Sequence, residues 1–190
     1  MNKPKNSDKN PARDEFQTPD YAVDLLIPFI PKWIPIWECA AGGGKIVRHL
    51  RNNDFSVIAS TLGKNKEGYD NVDFLAQEPY WENDGFIIIT NPPFSKKQKF
   101  YERCLFYGLF YKTPFALLIP ADYSGWVIEA VRRDGAEKII PTRRIDYITP
   151  MGRRGKTSGA QFHSMWLTRG FDLGKTETYV ELALGAKKNV

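Results

Sequence analysis

Residues 86–90 form an apolar run, Phe-Ile-Ile-Ile-Thr, and Asn91, Pro92, Pro93 and Phe94 follow at once. The run reads as a buried strand. Two successive prolines have no backbone N–H to donate, so the ladder ends there and the chain must leave the sheet. In open α/β sheets, ligands bind outside the carboxyl ends of the strands. An amide, a rigid backbone carbonyl and an aromatic ring are thereby left facing one crevice. Asn91 and the Pro92 carbonyl can accept the two hydrogens of an exocyclic amine, and Phe94 can stack on the planar group that carries it.

The rest of the chain alternates between strand-like and helix-like segments. Thr18 before Pro19 reads as a helix start, a capping hydroxyl followed by proline in the first turn. That helix should run through Tyr21, Ala22, Leu25 and Leu26 and stop near Pro28 or Pro31. A short strand over 33–38 leads into Cys39-Ala40-Ala41-Gly42-Gly43-Gly44, then a helix with Ile46, Val47 and Leu50 inward. Strands follow over 55–60 and 86–90, with a brief extended segment at 72–75, then a helix over about 96–109 and a strand over 115–120. A helix through Trp126, Val127, Ala130 and Val131 precedes three strand-like pieces, 138–140, 144–148 and 163–167. Such alternation predicts a mainly parallel sheet covered by helices on both faces. The last two pieces have no helix between them and are expected to pair antiparallel.

Composition narrows the function classes. The chain has 190 residues, enough for one domain with a real core, and no apolar run approaches a membrane span. Residues 1–13 read as a disordered basic tail with no apolar segment behind it, hence not a signal peptide. The single domain would span 14–190. Cys39 and Cys104 suggest neither a disulfide framework nor a zinc site, and His49 and His163 are too few for a histidine-rich metal centre. Both cysteines fit best as small buried residues. The net charge of +5 leans toward a polyanionic partner. Its densest groups are Arg143-Arg144 and Arg153-Arg154-Gly155-Lys156, the second in a Gly/Ser/Thr-rich loop over 150–161 where mobile cations could grip phosphates.

The stretch from Glu38 to Gly44 is not a dinucleotide fingerprint. Small residues let backbone approach a ligand closely, and an acid before them suits a cationic group. Together with Asn91 to Phe94, this order of motifs resembles the amino-methyltransferases that use S-adenosylmethionine. From Phe16 to Leu173 the chain is similar to the small phage-type DNA adenine-N6 methyltransferases. The matching pieces are 16–19, 38–44, 57–59, 73–75, 91–94, 114–118, 143–145 and 162–166.

The resemblance implies a Rossmann-like class I methyltransferase fold with seven strands, the terminal one antiparallel. It implies S-adenosylmethionine as cofactor, with Thr18 and Pro19 covering its methionine part. Glu38, Ala40, Gly42 and Gly44 would line its amino-acid end, Asp73 would accept from its adenine amine, and Phe74 would flank the ring. Asn91, Pro92, Pro93 and Phe94 would hold the target amine. The implied function is methylation of adenine N6 in DNA, with short or relaxed sequence preference, in a bacterial or phage-infected cytoplasm where it protects DNA from restriction. One departure stands out. Where such folds usually end the second strand in an acid for the cofactor's ribose, this chain has Ser60-Thr61. Thr61 can bond ribose only without charge assistance, and Glu67 and Asp70 are the acids near enough in sequence to substitute. Two alternatives follow: an RNA-base or protein-glutamine methyltransferase with the same motif, or a nucleic-acid binder on a degenerate scaffold.

Overall fold

A computed structural model describes residues 16–63, 65–76, 85–148 and 162–182. Its centre is a sheet whose inner strands are buried and mostly apolar. Strand β1 (Ile36–Glu38), β4 (Ile87–Thr90) and β5 (Phe115–Pro120) are buried along nearly their whole length. Successive side chains of a strand point to opposite faces, so a continuous apolar run feeds two cores at once. Ile36, Ile87, Ile89, Ala116 and Leu118 enter one core, with Ala22, Val23, Val47 and Leu50 from helices α1 (Asp20–Asp24) and α2 (Lys45–Asn52). Trp37, Ile88, Phe115, Leu117 and Ile119 enter the other, with Phe100, Cys104 and Tyr107 of α3 (Lys97–Phe110) and Val127 and Ala130 of α4 (Gly125–Arg132). Helices therefore cover both faces, as the alternation predicts. Both cysteines are free and buried.

Among the described residues, eight strands make one sheet in the order β3-β2-β1-β4-β5-β7-β6-β8. Besides those named, they are β2 (Val57–Thr61), β3 (Asp70–Asn71), β6 (Glu137–Pro141), β7 (Ser164–Arg169) and β8 (Glu177–Val180). Strands β3, β2, β1, β4 and β5 run parallel. Strand β7 inserts antiparallel between β5 and β6, and β8 adds to β6 in parallel.

Three expectations need correction. The sheet has eight strands rather than seven, because β8 extends the edge. The piece at 144–148 is not a strand of the sheet. Its contact of that kind is one isolated antiparallel bridge, Gln17 with Ile148, so the antiparallel partners of β7 are β5 and β6. Thr18 does not cap α1. Pro19 occupies the cap position in extended conformation, with no side-chain cap bond. The tail over 1–13 and the loop over 150–161 lie outside the described residues. No helix among the described residues is long and apolar enough to cross a membrane.

Candidate active site

From β1 the chain builds outward through β2 to β3, then returns to place β4 on the other side of β1. The carboxyl ends of β1 and β4 therefore flank the point where the strand order reverses, the place where open α/β sheets open a crevice. Glu38 ends β1, and Asn91 follows β4.

Glu38 is 1 % exposed. Its Oε1 accepts the Ala40 N–H at 3.0 Å, which folds the start of the glycine turn back over the strand end. Burial pushes its carboxyl up to about 8, against the opposing pull of the Thr90 hydroxyl and the Ala40 amide. The Thr90 hydroxyl is near enough to favour the charged form, yet neither its Oγ1 nor Glu38 Oε2 makes a hydrogen bond of good geometry. Asn91 Oδ1 is likewise buried and unpaired. Buried polar atoms are normally satisfied, yet a carboxylate oxygen, a hydroxyl and an amide oxygen lie unpaired at the ends of two adjacent strands.

The orientation of Asn91 is constrained. Its Nδ2 donates to the Phe16 carbonyl at 3.4 Å, a long bond, which turns Oδ1 away from that carbonyl. Beside it, the Pro93 carbonyl is taken by the Lys96 N–H at 2.8 Å, while no backbone donor among the described residues reaches the Pro92 carbonyl. Amide and carbonyl acceptors thus sit one residue apart. Phe94 is half-buried in an aromatic group. Its ring meets Phe162 edge-on at 5.3 Å and Tyr147 at 6.0 Å, and Tyr147 lies 5.8 Å from Phe16.

The segment 16–24 is held over this crevice by partners remote in sequence. Gln17 and Ile148 exchange backbone bonds at 2.9 and 3.0 Å. The Tyr21 hydroxyl accepts the Asp146 N–H at 2.7 Å, and Trp166 Nε1 donates to the Ala22 carbonyl at 2.8 Å. Asp24 reaches His49 of α2 at 2.6 Å. Thr18 and Pro19 are consequently buried, and Gln17 lies over the glycine turn: a Cβ at Gly43 would stand 2.9 Å from its Oε1.

Other expected residues fall as follows. Ala40, Gly42 and Gly44 form the turn after β1, with Gly42 at φ 49° and Gly44 at φ 72°, a region open to glycine. Thr61 is half-buried at the end of β2. Asp73 is half-buried, and its Oδ1 accepts the Leu75 N–H at 3.0 Å, shaping its own turn. Phe74 is 2 % exposed and packs against Phe100 at 4.9 Å and Trp37 at 5.3 Å. This is a position in the second core. Arg143 and Arg144 are exposed on the segment that leads to Tyr147. Arg153, Arg154 and Lys156 lie outside the described residues.

Sequence reading missed Thr90, Gln17 and the Tyr147–Phe162 wall. Thr90 carried a signal, a hydroxyl ending an otherwise apolar strand. The others become visible only once distant segments meet.

No protein-family model matches the sequence, and no curated protein does. Solved structures do resemble the fold. The 23S rRNA methyltransferase ErmE aligns with a TM-score of 0.50 at 14 % identity, over 81 % of this chain and 68 % of that one. A TehB-like SAM-dependent methyltransferase from Corynebacterium glutamicum gives 0.48 at 10 % identity, over 78 % of this chain and 85 % of that one. A modification subunit of a putative type I restriction enzyme from Vibrio vulnificus gives 0.46 at 14 % identity, over 90 % of this chain and 47 % of that one. At such identities the likeness concerns architecture, and the chain has the Rossmann-like α/β fold found in methyltransferases.

Proposed function

We propose that the protein methylates the exocyclic N6 amine of adenine in DNA with S-adenosylmethionine as donor. The observation that carries this reading is the buried unpaired Asn91 Oδ1, one residue from the Pro92 carbonyl that no backbone donor among the described residues reaches. The donor set fits the cofactor. Glu38 Oε2 and Thr90 Oγ1 are buried acceptors without partners, suited to an ammonium group, and they adjoin a glycine turn that brings backbone close. Thr18 and Pro19 would cover its methionine part, Thr61 would face its ribose, and Asp73 would receive its adenine amine.

When bound, the cofactor supplies a methyl group already activated by its sulfonium. The protein's own task is placement. Asn91 Oδ1 and the Pro92 carbonyl would hold the two amine hydrogens, favouring a more tetrahedral nitrogen whose lone pair is freed from the ring. Phe94, backed by Tyr147 and Phe162, would hold the base by stacking. Such a pocket cannot admit a base still paired in a duplex, so the base must flip out or come from a single strand. Arg143 and Arg144, with Arg153, Arg154 and Lys156, would grip phosphates. Marking of this kind would shield phage or prophage DNA from restriction.

The test is methyl transfer from labelled S-adenosylmethionine to unmethylated DNA, read by nucleoside mass spectrometry. N6-methyladenine is the expected product. Label in RNA or protein alone would overturn the DNA reading. Asn91→Ala should cut transfer by at least about a hundredfold, the scale of losing one preorganised polar contact. It should leave cofactor binding intact, and wild-type turnover in that variant would remove Asn91 from its role.

A further inference from the structure

Strand β2 brings Thr61 to the point where the resemblance expects an acid for the cofactor's ribose. The two nearby acids are disposed elsewhere. Glu67 pairs with Arg48 at 3.3 Å on the exposed side of α2. Asp70 sits exposed on the edge strand β3, opposite Ser60.

What the β2–β3 connection does present is Tyr69. Asn65 clamps its backbone from both sides: Oδ1 accepts the Tyr69 N–H at 2.8 Å, and Nδ2 donates to the Tyr69 carbonyl at 3.0 Å. Asn71 Oδ1 accepts the Gly63 N–H at 2.8 Å, and the Arg48–Glu67 pair ties the middle of the loop to α2. The tyrosine is thereby set against Gly44. A Cβ there would stand 2.0 Å from the Tyr69 hydroxyl, so only glycine admits this contact. The glycine turn in turn hangs on β2, because the Ala41 N–H donates to the Ser60 carbonyl at 2.9 Å. The hydroxyl therefore stands against the glycine turn at the start of α2. It makes no hydrogen bond with any described residue.

We infer that Tyr69 takes the place of the missing acid, its hydroxyl being the partner of a ribose hydroxyl of the cofactor. The inference rests on the S-adenosylmethionine reading and sharpens it. A neutral phenol makes a weaker bond than a carboxylate, so cofactor affinity is set lower here than an acid would set it.

The experiment is calorimetric titration of the full chain with S-adenosylhomocysteine and with its 2′,3′-dideoxy analogue. Wild type is expected to prefer the intact sugar. Tyr69→Phe keeps a ring against Gly44 and should bind the intact compound about five- to tenfold more weakly, the scale of one neutral hydrogen bond. It should lose its preference by the same factor, with its thermal melt confirming the fold. Unchanged affinity and preference in Tyr69→Phe would overturn the role of Tyr69 and leave the cofactor reading standing. Preference lost in Glu67→Gln instead would assign the ribose to Glu67 and overturn the inference. No binding of either compound by wild type would overturn the cofactor reading, and the inference with it.

Discussion

A carboxyl group buried as deeply as Glu38, with one oxygen unpartnered, keeps its proton until a cation arrives. Its proton is held to about pH 8, against an ordinary value of 4.5. Between those values the unfolded chain is ionised while the folded chain is not. Folding therefore takes up a proton, and stability falls as pH rises through this window, levelling off above about 8. A bound ammonium reverses the preference and expels the proton. Cofactor affinity should then climb across the same window, by at most about tenfold per pH unit. Denaturation midpoints and S-adenosylhomocysteine titrations at several pH values would show both trends, and Glu38→Gln should flatten both. A slope that survives in that variant would belong to another group. The acid before the glycines and the Asn-Pro-Pro-Phe run were legible in the sequence, because each announces its chemistry locally. The Phe16 carbonyl that orients Asn91 was not, since it comes from 75 residues away.

At the scale of elements, Phe74 joins the turn after β3 to α3. Its ring packs on Phe100, Trp37 and, at 6.2 Å, Tyr107. Removing a buried aromatic ring leaves a cavity that the surroundings fill only in part. Phe74→Ala should therefore lose about 3–5 kcal/mol of stability in a chemical denaturation. A ring that merely flanked a ligand would cost little stability and only weaken cofactor binding, so the two readings separate cleanly. The strands at 87–90 and 115–120 were legible because uninterrupted apolar runs of that length have few other uses. The segment 144–148 misled for a physical reason. Ile145 and Tyr147 are 1 % and 0 % exposed and alternate with polar neighbours, which is the signature of a strand. Alternation reports which side chains are buried, and this segment buries its pair beneath α1 and Phe16 without joining the ladder. Strand β8 escaped for the opposite reason. Among the described residues it pairs through β6 alone, and it buries too little to leave a hydrophobic pattern.

For the whole molecule, the reversal of strand order decides where the candidate site gathers. Glycine turn, double proline and N-terminal segment all converge on the carboxyl ends of β1 and β4. The segment 142–148 carries exposed Arg143 and Arg144 toward the same rim and ends with Tyr147 against Phe94. A strand of nucleic acid that places a base at Phe94 would pass these arginines. Each phosphate contact releases counterions, so it contributes about 0.9 to the slope of log affinity against log salt for duplex DNA. Charge reversal of both, Arg143→Glu with Arg144→Glu, should weaken DNA binding at low salt and flatten that slope by about two. Reversal at Arg153, Arg154 and Lys156 should flatten it by about three on the same reasoning. S-adenosylhomocysteine binding, which on the proposed reading uses the Glu38 side of the crevice, should be unaffected in both variants. An unchanged slope in either would take that group of cations out of the interface and leave the grip to the other.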